Sequence, residues 1–353
     1  MKKTVITFMI CLLTACLCCG CSAGTAQGKN KDKIEIITTI FPEYDWVKQI
    51  LGSNADKADV KLLLDNGVDL HSYQPTAEDI LAISRCDMFV YVGGESDEWV
   101  EDALGEAVNR NMIVINLLEA LGDSAKTEET VEGMEHDHEH DHDDDHDDDH
   151  DHDDDHDDDH DDDHDHDGEH EEEYDEHVWL SLKNAAVLCD AIADGIAKID
   201  PDNTESYKAN CEAYKKKLEE LDDRFESTVS GAKVKTLLFG DRFPFRYLAD
   251  DYGLSYYAAF SGCSAETEAS FETIIFLAGK VNELRLPAIM TIETGDGKVA
   301  ATIRDNTADK DQKILKLDSM QSTTLKDAEN GASYISVMTA NLEILKEALK
   351  VSE

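Results

Sequence analysis

Basic charge is what this chain has least of. Its 353 residues hold 32 Lys and Arg against 79 Asp and Glu, a formal net charge of −47. Nucleic acid and anionic membrane surfaces are poor partners, because both would repel such a surface. Long apolar runs are missing too: the stretch from Val5 to Leu13 falls short of the roughly 20 residues that span a bilayer. Beyond the N-terminal cysteine cluster there is no CxxC pair, which argues against a thiolate zinc finger. HExxH occurs only inside one histidine-rich repeat tract, as His138-Glu139-His140-Asp141-His142, and a nucleophile elbow and a paired catalytic carboxylate at helical spacing are absent. A metallohydrolase needs an open coordination position with a base beside it, so the chain reads as a non-enzyme. Finally, only two of the 14 histidines, His71 and His177, lie outside a single tract.

That tract is the most distinctive feature present. Between His136 and His170 stand twelve histidines (His136, His138, His140, His142, His146, His150, His152, His156, His160, His164, His166 and His170), set among 20 aspartates in HDDDH and HDHD repeats. Neutral imidazole is a preferred ligand for zinc, copper and nickel, and the interleaved carboxylates concentrate any divalent cation. With almost nothing apolar to bury, the tract is expected to be a disordered loop that collects metal without fixing one ion in one geometry. Solubility alone has a use for the carboxylates but none for regularly placed imidazoles.

The N-terminus reads as an export signal: Lys2 and Lys3, the apolar stretch, then small residues. Leu13-Thr14-Ala15-Cys16 resembles a bacterial lipobox, which makes Cys16 the expected lipid-attachment site, with Cys21 as a second candidate. Diacylation would anchor the exported protein stably to the outer face of the cell membrane. Four cysteines lie farther on: Cys86, Cys189, Cys211 and Cys263. Cys189 and Cys211 are equally distant from Asp200, at the turn between two helical patterns, so they read either as a disulfide or as two small core residues.

From Ile34 onward, short apolar runs alternate with amphipathic stretches. IEIITTIF, DVKLLL, MFVYVGG and MIVINLL read as strands separated by single helices, the first opening with Pro42. After the acidic insert, Val178 to Lys198 and Thr204 to Val229 carry helical periodicity, and the second has the length of a strut, roughly 39 Å. The alternation then restarts with KTLLFG, LSYYAAF, AIMTIE and KILKL as strands, separated by helices from Glu268 to Val281 among others and closed by a helix from Tyr334 to Lys350. The expected fold is α/β: two (β/α) lobes with parallel sheets joined by one long linking helix, and a ligand cleft between the lobes at the carboxyl ends of the strands. The expected divisions are a signal and lipid-attachment region over 1–21, an N-terminal lobe over 33–182 containing the His/Asp-rich loop 124–174, a helical hairpin and linking helix over 183–230, and a C-terminal lobe over 231–353.

His71 lies just after the second strand, in Gly67-x-Asp69-x-His71-x-Tyr73-x-Pro75-Thr76. His177 lies at the edge of the insert, in Asp175-x-His177-Val178-Trp179-Leu180-Ser181. Each alone reads as a surface or capped histidine more readily than as a ligand. Together, in this order around such an insert, the two motifs resemble the zinc and manganese solute-binding lipoproteins of ABC transporters, the cluster A-I group, over nearly the whole chain.

That resemblance implies an extracytoplasmic receptor that holds an ion between its lobes and delivers it to a membrane permease with its ATPase. It implies His71 and His177 as ligands from the first lobe and two more from the second. Counting back from Tyr252-Gly253-Leu254 places Arg242 where the family has His for zinc or Glu for manganese, and a guanidinium cannot bind a cation. The neighbouring Asp241 is the substitute, unless it only pairs with Arg242 or caps a helix. The fourth expected ligand is Asp296 in Ile292-Glu293-Thr294-Gly295-Asp296-Gly297, with Glu293 in reserve. Ser261 to Ala269 would border the cleft and offers Glu266 or Cys263, or simply a helix cap. Two imidazoles with carboxylates suit zinc and also admit manganese; the histidine tract favours zinc. A surface metal buffer or adhesin, with the tract as its main binding element, is the alternative.

Overall fold

The computed structural model of the chain describes residues 33–135, 173–264 and 268–351. The expected signal region with Cys16 and Cys21, the histidine tract, and Glu266 and Thr267 lie outside the described residues.

Lobe one runs β1 (Ile34–Thr38), α1 (Phe41–Leu51), β2 (Ala58–Leu62), α2 (Ala77–Ile83), β3 (Met88–Tyr91), α3 (Trp99–Gly105), β4 (Ile113–Asn116) and α4 (Leu117–Leu121). Two helices follow, α5 (Leu182–Ile199) and α6 (Thr204–Ser230), folded back on each other about a turn at Pro201–Asn203. Lobe two runs β5 (Thr236–Arg242), α7 (Arg246–Tyr252), β6 (Ser255–Phe260), α8 (Phe271–Leu284), β7 (Ala288–Ile292), α9 (Lys298–Asp305), β8 (Lys313–Leu317), α10 (Leu325–Glu329) and α11 (Tyr334–Ala348). β1, β4 and β7 are rich in branched apolar residues, as expected where helices cover both faces of a parallel sheet.

The two sheets repeat one topology, β2-β1-β3-β4 and β6-β5-β7-β8, with every pair parallel. In each, the chain steps outward once and then crosses to the other side of the first strand. The crossover leaves a crevice at the carboxyl ends of β1 and β3, and of β5 and β7, where ligands bind in open α/β sheets. His71 follows β2 and Ser96 follows β3; Arg242 ends β5, Cys263 follows β6 and Asp296 follows β7.

The lobes are fixed to each other by buried contacts. The Trp179 indole N–H donates to the Ser319 carbonyl at 2.8 Å, and the Tyr334 hydroxyl donates to the Trp179 carbonyl at 2.7 Å. Asp45 on α1 accepts from the Tyr214 hydroxyl of α6 at 3.2 Å and from the Tyr334 amide of α11 at 3.1 Å. One apolar core therefore runs through α1, α5, α6 and α11 and into both sheets. Cys189 and Cys211 sit within it, buried and unbridged. No helix among the described residues is long and apolar enough to cross a membrane.

Candidate metal centre

Both outlying histidines are placed by the same local device. Asp69 Oδ1 accepts the amide of His71 at 3.1 Å, and Asp175 Oδ1 accepts the amide of His177 at 2.9 Å. An aspartate two residues ahead thus closes a tight turn and presents each ring. The rings meet across the top of lobe one, with Nε2 to Nε2 at 3.2 Å. Each Nδ1 has an oxygen partner: Ser96 Oγ at 2.7 Å for His71, and Asp175 Oδ1 at 3.0 Å for His177. When those nitrogens carry the ring protons, both Nε2 lone pairs face one point in space, the arrangement in which an oxygen partner orients a metal-binding imidazole.

The electrostatics divide the pair. Burial and the neighbouring His177 push His71 down to about 3, so it is neutral at physiological pH. Burial also opposes charge on His177, but the Asp175 carboxylate outweighs it and raises this imidazole. Behind them Glu176, pushed up to about 7 by burial, accepts the Ser96 amide at 2.7 Å. Its carboxyl occupies the space a Cβ would fill at Gly94, which has φ +83° and so favours glycine twice over.

From lobe two, the residue that joins the histidines is Cys263. His71, His177 and Cys263 each offer a donor atom within 4.8 Å of the others, and they form the one such group of three or more potential ligands among the described residues. Gly262 permits the approach: a Cβ there would lie 3.0 Å from His177 Cε1 and 3.0 Å from the Phe243 carbonyl. The Cys263 amide donates to Glu128 Oε1 at 3.1 Å. Glu128 belongs to the segment leading to the acidic insert, and that segment lies along lobe two, with the Glu135 amide donating to the Ala259 carbonyl at 2.9 Å.

The expected carboxylates are not brought into this group. Asp241 Oδ1 accepts the Arg242 amide at 2.9 Å and Oδ2 the Ile292 amide at 3.2 Å, which ties the ends of β5 and β7 together. Asp296 is 59% exposed, accepts the Lys298 amide at 2.9 Å and pairs with the Lys298 ammonium. Glu293 holds the amide and hydroxyl of Ser319 at 2.7 and 2.8 Å. Arg242 reaches across the cleft to Asp69, Nη2 to Oδ2 at 2.5 Å, where the β5–β6 register shifts between Phe239 and Arg242. Asp69, Asp241, Arg242 and Asp296 line a cavity of about 720 Å³ between the lobes. The histidines are legible because each carries its positioning aspartate in its own motif. Cys263 has no such local signal, since its partners Glu128, His71 and His177 all come from the other lobe.

Residues 36–348 match the model of the family ZnuA, described as zinc-uptake complex component A, periplasmic. The high-affinity zinc uptake system protein ZnuA of Bacillus subtilis (strain 168) is 30% identical over 352 residues, covering 99% of each chain. The zinc-binding lipoprotein AdcA of Streptococcus pneumoniae (strain ATCC BAA-255 / R6) is 31% identical over 341 residues, which are 96% of this chain but only 60% of that protein. The crystal structure of the Zn(II)-bound ZnuA-like domain of Streptococcus pneumoniae AdcA matches with a TM-score of 0.64 at 29% identity, over 90% of this chain and 99% of that one.

Proposed function

The chain belongs to the ZnuA family of zinc-uptake complex components, and from that premise we propose that it is an extracytoplasmic receptor that binds one zinc ion between its lobes and delivers it to the permease and ATPase of an ABC importer. The observation that carries this reading is the facing histidine pair, with Nε2 atoms 3.2 Å apart and both Nδ1 atoms held by oxygen. Imidazole pairs suit zinc better than manganese, which favours oxygen ligands. Asp241 and Asp296 then serve as wall residues of the adjoining cavity. The Arg242 guanidinium pairs with Asp69 rather than taking a ligand's place.

In this reading no chemical step takes place on the ion: the receptor binds and releases it. The tract from His136 to His170 gathers metal near the membrane, where lipidation at Cys16 holds the protein. The tract's 35 residues would span roughly 35 Å as a flexible coil. Its described roots support a supply role, since Glu128 bonds to Cys263 and the Glu128 amide to the Glu173 carbonyl, beside the site itself.

The test is zinc stoichiometry by competition with a strong chelator, on the chain with 136–172 deleted. One tight equivalent is expected, and it should vanish in a His71→Ala/His177→Ala variant. No tight equivalent in the deleted chain sinks the reading and favours a surface metal buffer, and one that survives the double substitution places the ion away from the histidine pair.

A further inference from the structure

Two imidazoles supply half of the donors that four-coordinate zinc takes. The remainder is sought in lobe two or solvent, and the three carboxylates expected from lobe two are already engaged. Asp241 holds two backbone amides, Asp296 holds Lys298, and Glu293 holds Ser319. The loop after β6 is different. Gly262 brings it into contact with the His177 ring, Glu128 pins the Cys263 amide, and the Cys263 sulfur lies within 4.8 Å of donor nitrogens of both histidines.

We infer that Cys263 Sγ is the lobe-two ligand, so that the ion is bound by two imidazoles and one thiolate, with solvent completing four-coordination. This rests on the receptor reading and specifies its ligand set. Binding forms a metal–sulfur bond and breaks the S–H bond, and the proton passes to solvent. The thiolate gives the site a soft donor that His and carboxylate sites lack. Zinc, cobalt and cadmium are therefore favoured over manganese, for which sulfur is a poor ligand.

Cobalt(II) reports the donor set directly. The full chain loaded with one equivalent of cobalt should show a near-ultraviolet thiolate-to-cobalt charge-transfer band with tetrahedral visible absorption. Cys263→Ser should abolish the band. It should also lower zinc affinity by more than the roughly 10- to 100-fold that loss of a ligand's hydrogen-bond partner costs. A band absent from the unmodified protein, or one unchanged in C263S, overturns the assignment. So does an undiminished zinc affinity in C263S. If C263S keeps its tight zinc while His71→Ala/His177→Ala loses it, the receptor stands and the thiolate falls. Should C263S fail to fold, alkylation of the unmodified chain decides. Zinc is expected to protect Cys263 from iodoacetamide, and an alkylation rate indifferent to zinc rejects the proposal.

Discussion

A guanidinium carries five N–H donors and no lone pair, so Arg242 can bond only to acceptors, best of all to an anion. Asp69 is that anion, and the two side chains are 15% and 14% exposed. Burial alone would raise the Asp69 carboxyl, but Arg242 and His71 outweigh it and hold the group below the usual carboxylate range. The other oxygen of Asp69 accepts the His71 amide at 3.1 Å. The ion pair therefore ties the turn that presents His71 to the end of β5 in the opposite lobe. Arg242→Ala strands a largely buried carboxylate and is expected to cost about 2 kcal/mol of unfolding free energy. Asp69→Asn should remove most of that penalty, because the unpaired charge goes with it. Denaturant melts of the two single variants and the double variant give the coupling, and a value under about 0.5 kcal/mol would mean the pair is only incidental.

At the scale of elements, α9 lies directly on β5 because Gly240 has no side chain. A Cβ there would stand 2.4 Å from Ala300 Cα and 2.6 Å from its nitrogen, a collision with backbone that no rotamer relieves. Gly240→Ala should therefore displace α9 and lower stability by roughly 3 kcal/mol, at the upper end for overpacking. An unchanged melt would show that the helix shifts freely. The β/α alternation was legible in the sequence because parallel strands are continuous apolar runs. The ends of elements were less so, because polar caps decide them. The helix expected from Val178 begins at Leu182, where Ser181 Oγ accepts the Asn184 amide at 3.0 Å. The helix expected from Glu268 begins at Phe271, capped by Ser270. MIVINLL reads as one strand, but Asn116 caps a new helix at Leu117 by accepting the Glu119 amide at 3.1 Å. The five-residue helix Leu325–Glu329 is too short to show a period. At the site, His71 and His177 carry their positioning aspartates two residues away. The Arg242–Asp69 pair spans 173 residues, and no local pattern announces such a contact.

At the scale of the whole molecule, the loop after β8 is what docks lobe two on the shared core, since its Ser319 carbonyl receives the Trp179 indole. Asp318 begins this loop and accepts the Met320 amide at 2.8 Å. Burial, then the charge of Glu293, pushes its carboxyl up to about 6 from an ordinary value of 3.8. In that interval the folded protein binds a proton that the unfolded chain has released. The stabilisation is complete below about pH 4 and is lost as pH rises through about 6. A displacement of this size corresponds to roughly 3 kcal/mol. Asp318→Asn cannot ionise, and its amide oxygen still accepts from Met320. The unmodified protein should therefore lose about that much stability relative to the variant between pH 4 and pH 7, read from denaturant midpoints at stepped pH. The acidic surface and the histidine tract titrate alike in both proteins, so the difference isolates the loop. Parallel pH profiles would mean that Asp318 ionises as freely as a surface aspartate and that the junction between the lobes is wetter than its packing indicates.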